Sequence, residues 1–345
     1  MSVAAVPGVV PRLLERYRDL TLEALLRDLP ARSPSYLYEL VPTYPSRPGK
    51  GLRAALCLAT CGALGGRLGR ALNSAVAVEL FHNAFLIHDD VQDESESRRG
   101  GPTLHAEHGV GIAVNVGNAM NLLALGRLRA NREILGPNLA WQIFAESEEM
   151  MRHSLEGQAL ELAWIRDNAC DLSDDDYYRM CLKKTSWYTC IYPCRVGALV
   201  ATDGRFELDR LYRYGWYLGA AFQIQDDLLN LVGDYGKYGK EISGDLLEGK
   251  RTLMLIHLLR TLDGDGRERV RQYLGKRRRE RTDEEVRWLR ELLDDRGSLD
   301  FARNAAIDLA KAALAEGEAA LRGVPDSEDK DFLLEAARYV IERDR

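Results

Sequence analysis

The chain has 345 residues, 46% of them hydrophobic and 29% charged, the make-up of an ordinary globular protein and not of a disordered or fibrous one. A formal net charge of −6 argues against a general nucleic-acid binder, whose phosphate contacts need a basic surface. It leaves room for an anionic substrate, because a local cation cluster or a bound metal reverses the sign of a pocket.

The first residues, MSVAAVPGVVPRLLERYRD, carry prolines and charges where a signal peptide needs an unbroken apolar core. No uncharged run reaches the roughly 18 residues needed to span a bilayer. A cytoplasmic protein with no transmembrane segment is expected. Pro30, Pro34, Pro42, Pro45 and Pro48 predict that residues 1–48 form a short helix or two and an irregular stretch. From 52 to 260, apolar residues recur at three- and four-residue intervals. The clearest helices are 72–93, 140–164 and 211–234, each apolar round much of its circumference, as in a helix buried within a large bundle. The stretch 262–300 is the most charged, with Lys276, Arg277, Arg278, Arg279 and Arg281, and reads as a peripheral, solvated loop leading into a helix. Thr282 and Glu285 form a capping box for that helix. Helical periodicity returns from Ser298, so the fold class is all-α, one continuous helical domain over residues 1–345. Cys57 and Cys61 stand four apart in an apolar helix, but no second pair or nearby histidine completes a zinc site. The six cysteines read as free thiols of a reducing compartment.

Two carboxylate clusters carry the chemistry. HDDVQDE places Asp89, Asp90 and Asp93 in a helix, where residues i and i+4 share a face. Asp89 and Asp93 can therefore hold one cation, with Asp90 to the side. QIQDDLLN repeats the spacing with Asp226, Asp227 and Asn230. One such group could be a solvated helix end. Two, each embedded in an apolar helix, need something to neutralise them, and hard oxygen ligands suit Mg²⁺ or Mn²⁺ bridging to substrate phosphates.

With these motifs in order, the sequence resembles the trans-isoprenyl diphosphate synthases, the family of farnesyl and geranylgeranyl diphosphate synthases. The first cluster, followed by Arg98-Arg99-Gly100 and Pro102-Thr103, resembles that family's first aspartate-rich motif, and FQIQDDLLN its second. The similarity is strong over about residues 47–260 and weaker in the tail. It implies a helical isoprenoid-synthase bundle around a deep central cavity, a homodimer, and Mg²⁺ (three ions per site, Mn²⁺ as a substitute) on Asp89, Asp93 and Asp226, with Asp90 and Asp227 as secondary groups. By the same resemblance Lys50, Arg53, His82 and Arg99 bind isopentenyl diphosphate. Arg98, Lys184, Thr185, Gln223, Lys240 and Lys250 belong to the allylic diphosphate. The implied reaction ionises the allylic diphosphate, lets the double bond of isopentenyl diphosphate attack the resulting carbocation, and releases a proton to the departing diphosphate. No protein nucleophile is needed. The other histidines (His88, His105, His108, His153, His257) are expected to be structural.

Three positions depart from the family pattern: Asn230 where the second motif usually ends in Asp, Asn118 after Gly117, and Gly51 after Lys50. Asn230 removes a charge and is expected to weaken metal binding. For product length, Phe85 and Phe81 lie four and eight residues before Asp89, about 6 and 12 Å down the helix. Ala84 is small where farnesyl-producing relatives often carry an aromatic, so a C20 product is favoured over C15 or C25, with Phe81 at the floor. A class I terpene cyclase performs the same ionisation, but the Asn/Ser/Glu metal triad is not found around Asp226, and a cyclase has no use for an isopentenyl pocket. A non-catalytic regulatory subunit would be expected to lack the first motif.

Overall fold

The structure, a computed structural model, describes residues 8–30, 32–232 and 243–342. Helices α1 (Val9–Arg27) and α2 (Ser35–Tyr38) precede α3 (Leu52–Ala63) and α4 (Leu68–Gln92). A two-residue antiparallel ribbon, β1 (Ser97–Arg98) with β2 (Gly101–Pro102), supplies the strands of the described residues. Helices α5 (Leu104–His108), α6 (Val110–Leu135), α7 (Pro137–Arg166) and α8 (Asp174–Cys181) follow. A ten-residue π-helical stretch, Leu182–Ile191, links α8 to α9 (Tyr192–Thr202). Then come α10 (Tyr212–Val232), α11 (Gly244–Glu248), α12 (Leu253–Thr261), α13 (Gly264–Leu274), α14 (Asp283–Asp295), α15 (Ser298–Ala320) and α16 (Glu328–Glu342). The three helices predicted most clearly lie in α4, α7 and α10, with residues 233–234 outside the described range.

Helix α3 is the spine. Ala54, Ala55, Leu56, Leu58 and Ala59 are completely buried, because α1, α4, α9 and α16 surround it. Small residues alternating with leucine let those neighbours approach closely, and Leu56→Ala would cost about 2–5 kcal/mol through lost contact and a cavity. The main core gathers around α3, α4 and α9, and a second lies among α10, α12, α14 and α15. Leu309 and Ile341 pack against both. A third, smaller cluster between α4, α6 and the segment before α3 contains Val41, Tyr44, Ala84, Ile87, Leu104 and Met120.

The π-helical stretch is positioned by a close approach. A Cβ on Gly157 of α7 would lie 2.2 Å from the backbone nitrogen of Lys184, so only glycine lets α7 run this near. The wider turn then brings Lys184 to Asp89 of α4 and Thr185 to Gln223 of α10, and Tyr188 and Thr189 to Arg53 of α3. The capping box of Thr282 and Glu285 is present at the start of α14. The charged run before it is only partly solvated, however. Arg277 and Arg279 are exposed, whereas Arg281 is 8% exposed and Arg278 turns inward to Glu248. All six cysteines are free, five of them buried, and burial pushes the Cys57 and Cys190 thiols well up, so they fill space as apolar groups. No helix among the described residues is long and apolar enough to cross a membrane.

Candidate active site

The end of α4 opens the site. Neighbouring aspartates there have opposite fates. Asp90 is 1% exposed and accepts hydrogen bonds from Tyr44 Oη (2.6 Å) and Arg98 Nε (2.8 Å). Arg98, equally buried, spends its guanidinium on that carboxylate, and despite burial Asp90 holds it above the ordinary arginine range. Arg98 thus braces the ribbon against α4 through Asp90.

Asp89, half-buried, and Asp93, buried, pair with lysines instead. Asp89 Oδ1 accepts from Gln158 Nε2 at 3.2 Å and lies 3.5 Å from Lys184 Nζ, which also pairs with Glu161 of α7. Asp93 Oδ2 lies 2.7 Å from Lys250 Nζ. Burial drives the Asp93 carboxyl well above its usual range; Lys250 opposes the shift, and Asp89 and Glu248 reinforce it. Lys250 also reaches Glu248 at 2.7 Å and Asp245 at 3.7 Å. Burial works against both ammonium groups, yet Asp89 and Glu161 hold Lys184, and Asp93 and Glu248 hold Lys250, above the ordinary lysine range.

The second cluster approaches from α10. Asp227 accepts from Tyr177 Oη (2.8 Å) and Gln223 Nε2 (2.7 Å), and Thr185 Oγ1 donates to Gln223 (2.7 Å). Burial first, and Asp245 second, raise the Asp227 carboxyl well above its normal range. Asp226 is less buried than Asp227. Asn230 accepts from the Asp245 backbone N–H at 3.0 Å and so ties α10 to α11. An aspartate there would add a negative charge close to Asp245. Through Lys250, Asp245 and Asn230 the two motifs are joined in one network. Lys240 lies outside the described residues.

Beside this acidic site is a pocket of opposite character. His82 Nε2 lies 3.3 Å from Arg53 Nη1 and 3.2 Å from Arg99 Nη2. Arg53 donates to Tyr188 Oη (2.8 Å) and Thr189 Oγ1 (2.9 Å), and its guanidinium lies over the Tyr188 ring at 4.4 Å. Burial lowers Arg99 to about 10; Glu79 opposes this, and Arg98 and Arg53 add to it. Crowded, half-dehydrated cations of this kind suit a multiply charged anion. Lys50 lies 6.0 Å from the Tyr339 ring of α16. Gly51, a departure in the sequence, starts α3 with φ 63°, a left-handed conformation that an arginine would adopt only under strain.

Below the carboxylates, Phe81 is buried in the main core, and Phe85 meets Tyr188 edge-on at 5.4 Å. Ala84, about 100° further round α4, packs in the third cluster with Ala113, Val116 and Met120 of α6. Asn118 lies exposed on α6. Three of the remaining five histidines have structural partners: His153 stacks on Trp187, His257 stacks on Phe301, and His88 approaches the Val114 carbonyl.

Among the described residues no three His, Cys, Asp or Glu side chains form a ready-made metal cage. The donor set nevertheless fits a hard divalent cation. Carboxylates on three elements crowd round two ammonium groups, and the buried Asp93 is pushed up chiefly by burial and further by Asp89 and Glu248, which a cation would oppose. Sequence reasoning missed Gln158, Glu161, Tyr177 and Glu248. A glutamine and a glutamate three apart on α7 were the signal for the first two.

A family model described as polyprenyl synthetase matches residues 34–293. The geranylgeranyl pyrophosphate synthase of Geoglobus acetivorans is 30% identical over 94% of this chain and 95% of its own. The solved geranylgeranyl pyrophosphate synthetase of Pyrococcus horikoshii superposes with a TM-score of 0.83 at 31% identity, covering 96% of this chain and 98% of that one. A polyprenyl synthase from Caulobacter crescentus, solved with calcium and isoprenyl diphosphate, gives 0.86 at 28% identity over 99% and 100% of the two chains. The chain belongs to the polyprenyl synthetase family and is a trans-prenyltransferase.

Proposed function

We propose, from that family membership, that the protein condenses an allylic diphosphate with isopentenyl diphosphate, head to tail (1′–4), and releases an all-trans C20 diphosphate. The pairing of a carboxylate-rich subsite with a separate cation pocket carries this reading. One subsite suits a metal-bound diphosphate and the other a second diphosphate held by cations, and they meet at the π-helical stretch through Lys184 and Tyr188. A cyclase has one diphosphate to bind.

Asp89, Asp93 and Asp226 would hold Mg²⁺, three ions per site with Mn²⁺ as a substitute, and these supply charge to stabilise the leaving diphosphate. Lys184 and Lys250 then trade their carboxylate partners for diphosphate oxygens, adding charge-assisted donors where negative charge develops. Arg53, His82 and Arg99, with Lys50, orient isopentenyl diphosphate so that its double bond faces the allylic carbon, which turns a bimolecular step into a positioned one. Gln223, fixed by Thr185 and Asp227, lies near the reacting carbons. Phe81 and Phe85 bound the space for the growing chain. Loss of a proton to the departing diphosphate completes the turnover.

The chain acts as one helical domain and pairs with a second copy through α6 and α7, where Val110, Val114, Leu122, Leu125, Trp141 and Leu155 are exposed. Leu122→Asp should give a monomer in sedimentation, and an unchanged species would remove that face from the role. Six free thiols suit the cytoplasm. The functional test is mass spectrometry of products from dimethylallyl, geranyl and farnesyl diphosphates, each with and without isopentenyl diphosphate. The reading requires both substrates to be consumed and C20 to accumulate. Consumption of the allylic substrate alone would overturn it.

A further inference from the structure

Resting on the diphosphate-binding role given above to Lys250, we infer that Arg281 is a positioning residue of the allylic subsite: its guanidinium fixes helix α11 so that Lys250 and Glu248 stand against Asp93. Arg281 comes from the charged run between α13 and α14, remote in sequence from every motif. It is nonetheless 8% exposed, and its hydrogen bonds go to carbonyls. It donates to Leu247 and Leu246 in the last turn of α11, to Leu274 (2.9 Å) and Tyr273 (3.4 Å) at the end of α13, and lies 5.3 Å from the Tyr273 ring. Tyr273 Oη adds a hydrogen bond to the Leu246 carbonyl at 3.0 Å. Two helix C-termini, each with partial negative charge, thus converge on one cation.

The need for such a clamp follows from the length of α11. Five residues make too short a helix to persist by itself, so its place depends on what grips it. Asn230 holds the first turn, through its side chain to the Asp245 N–H and its carbonyl to the Ser243 N–H (2.7 Å). Arg281 holds the last turn. The next residues leave under a second buried guanidinium: Arg251, 2% exposed, donates to the carbonyls of Gly249 and Ala169 (3.0 Å) and to Asn168 Oδ1 (2.7 Å). Lys250 sits between these two grips, and its backbone N–H bonds to the Asp245 carbonyl at 2.9 Å. Arg278, from the same charged run, reaches Glu248 at 3.4 Å. Burying a guanidinium against neutral carbonyls is costly for stability alone. Placed at the base of the segment that carries Lys250, it sets the reach of that ammonium to Asp93.

The test compares wild type with Arg281→Lys, Arg281→Met and Tyr273→Phe. It reads thermal stability, calorimetric binding of an unreactive allylic thiolodiphosphate with Mg²⁺, hydrogen exchange of 244–251, and both KM values. Arg281→Met should weaken analogue binding and raise the allylic KM by about tenfold or more, leaving the KM for isopentenyl diphosphate within about twofold. Arg281→Lys should recover part of the loss. Tyr273→Phe should shift analogue binding the same way by a smaller factor, and this variant and Arg281→Lys decide the matter if Arg281→Met does not fold. Folded variants that bind the analogue like wild type, or that raise both KM values equally, would overturn the inference. A wild-type protein that neither binds the analogue nor turns over would instead overturn the functional reading.

Discussion

The Lys250 ammonium lies 2.7 Å from a carboxylate oxygen of Asp93, a residue 157 positions earlier in the chain. In the proposed function it exchanges that carboxylate for a diphosphate oxygen. Lys250→Met should remove a charge-assisted contact worth roughly 1.5–3 kcal/mol, so the allylic substrate should bind about tenfold to hundredfold more weakly. Calorimetry with an unreactive analogue checks this.

Asp89 and Asp90 are adjacent but should separate cleanly on mutation. Asp90→Asn breaks the buried pair with Arg98 and should cost about 3–5 kcal/mol in denaturant unfolding. Asp89→Asn, in a site crowded with carboxylates, should leave stability within about 0.5 kcal/mol of wild type. The same change should lower kcat by about a hundredfold to a thousandfold. Unfolding curves and initial rates for the two variants decide it.

In the cation pocket, Arg99→Gln should raise the KM for isopentenyl diphosphate by about tenfold to hundredfold and leave the allylic KM within about twofold. Arg99 is already driven down to about 10 by burial, with Arg98 and Arg53 contributing, so removing it relieves repulsion in the unliganded protein. The variant should therefore melt no lower than wild type. Steady-state kinetics with each substrate varied in turn, beside a melting curve, test both parts.

Phe81→Ala should shift products beyond C20, at a stability cost of about 3–5 kcal/mol for truncating a buried aromatic. If the protein becomes too unstable to assay, Phe81→Leu should show the same direction more weakly. An unchanged product distribution would remove Phe81 from the floor of the channel.

The spacing of Asp89 and Asp93 and the repeat at Asp226 and Asp227 were legible because helical periodicity fixes which side chains share a face, whereas Lys50, Arg53, His82 and Arg99 were legible only through the family resemblance. The helices themselves were legible from the same periodicity. Partnerships between elements were not. Nothing in the order of residues says that Arg98 serves Asp90, that Asn230 caps α11, or that Arg281 leaves a charged run to lie under Lys250. Glu161 and Gln158 escaped notice because their spacing on α7 gains meaning only once Lys184 and Asp89 stand opposite. Asn230 shows the cost of arguing from charge alone. Its side chain accepts from a backbone N–H of α11, a structural role that counting charges does not suggest.

The account turns on both aspartate motifs acting on the same diphosphate. The direct measurement is Mg²⁺-dependent binding of an unreactive allylic thiolodiphosphate to Asp93→Asn, Asp226→Asn and the double variant. Each single change should weaken binding by about tenfold or more, and the double variant should be little worse than either, because coupled residues are not additive. Losses that simply add, or a variant of either motif that binds like wild type, would contradict a shared site.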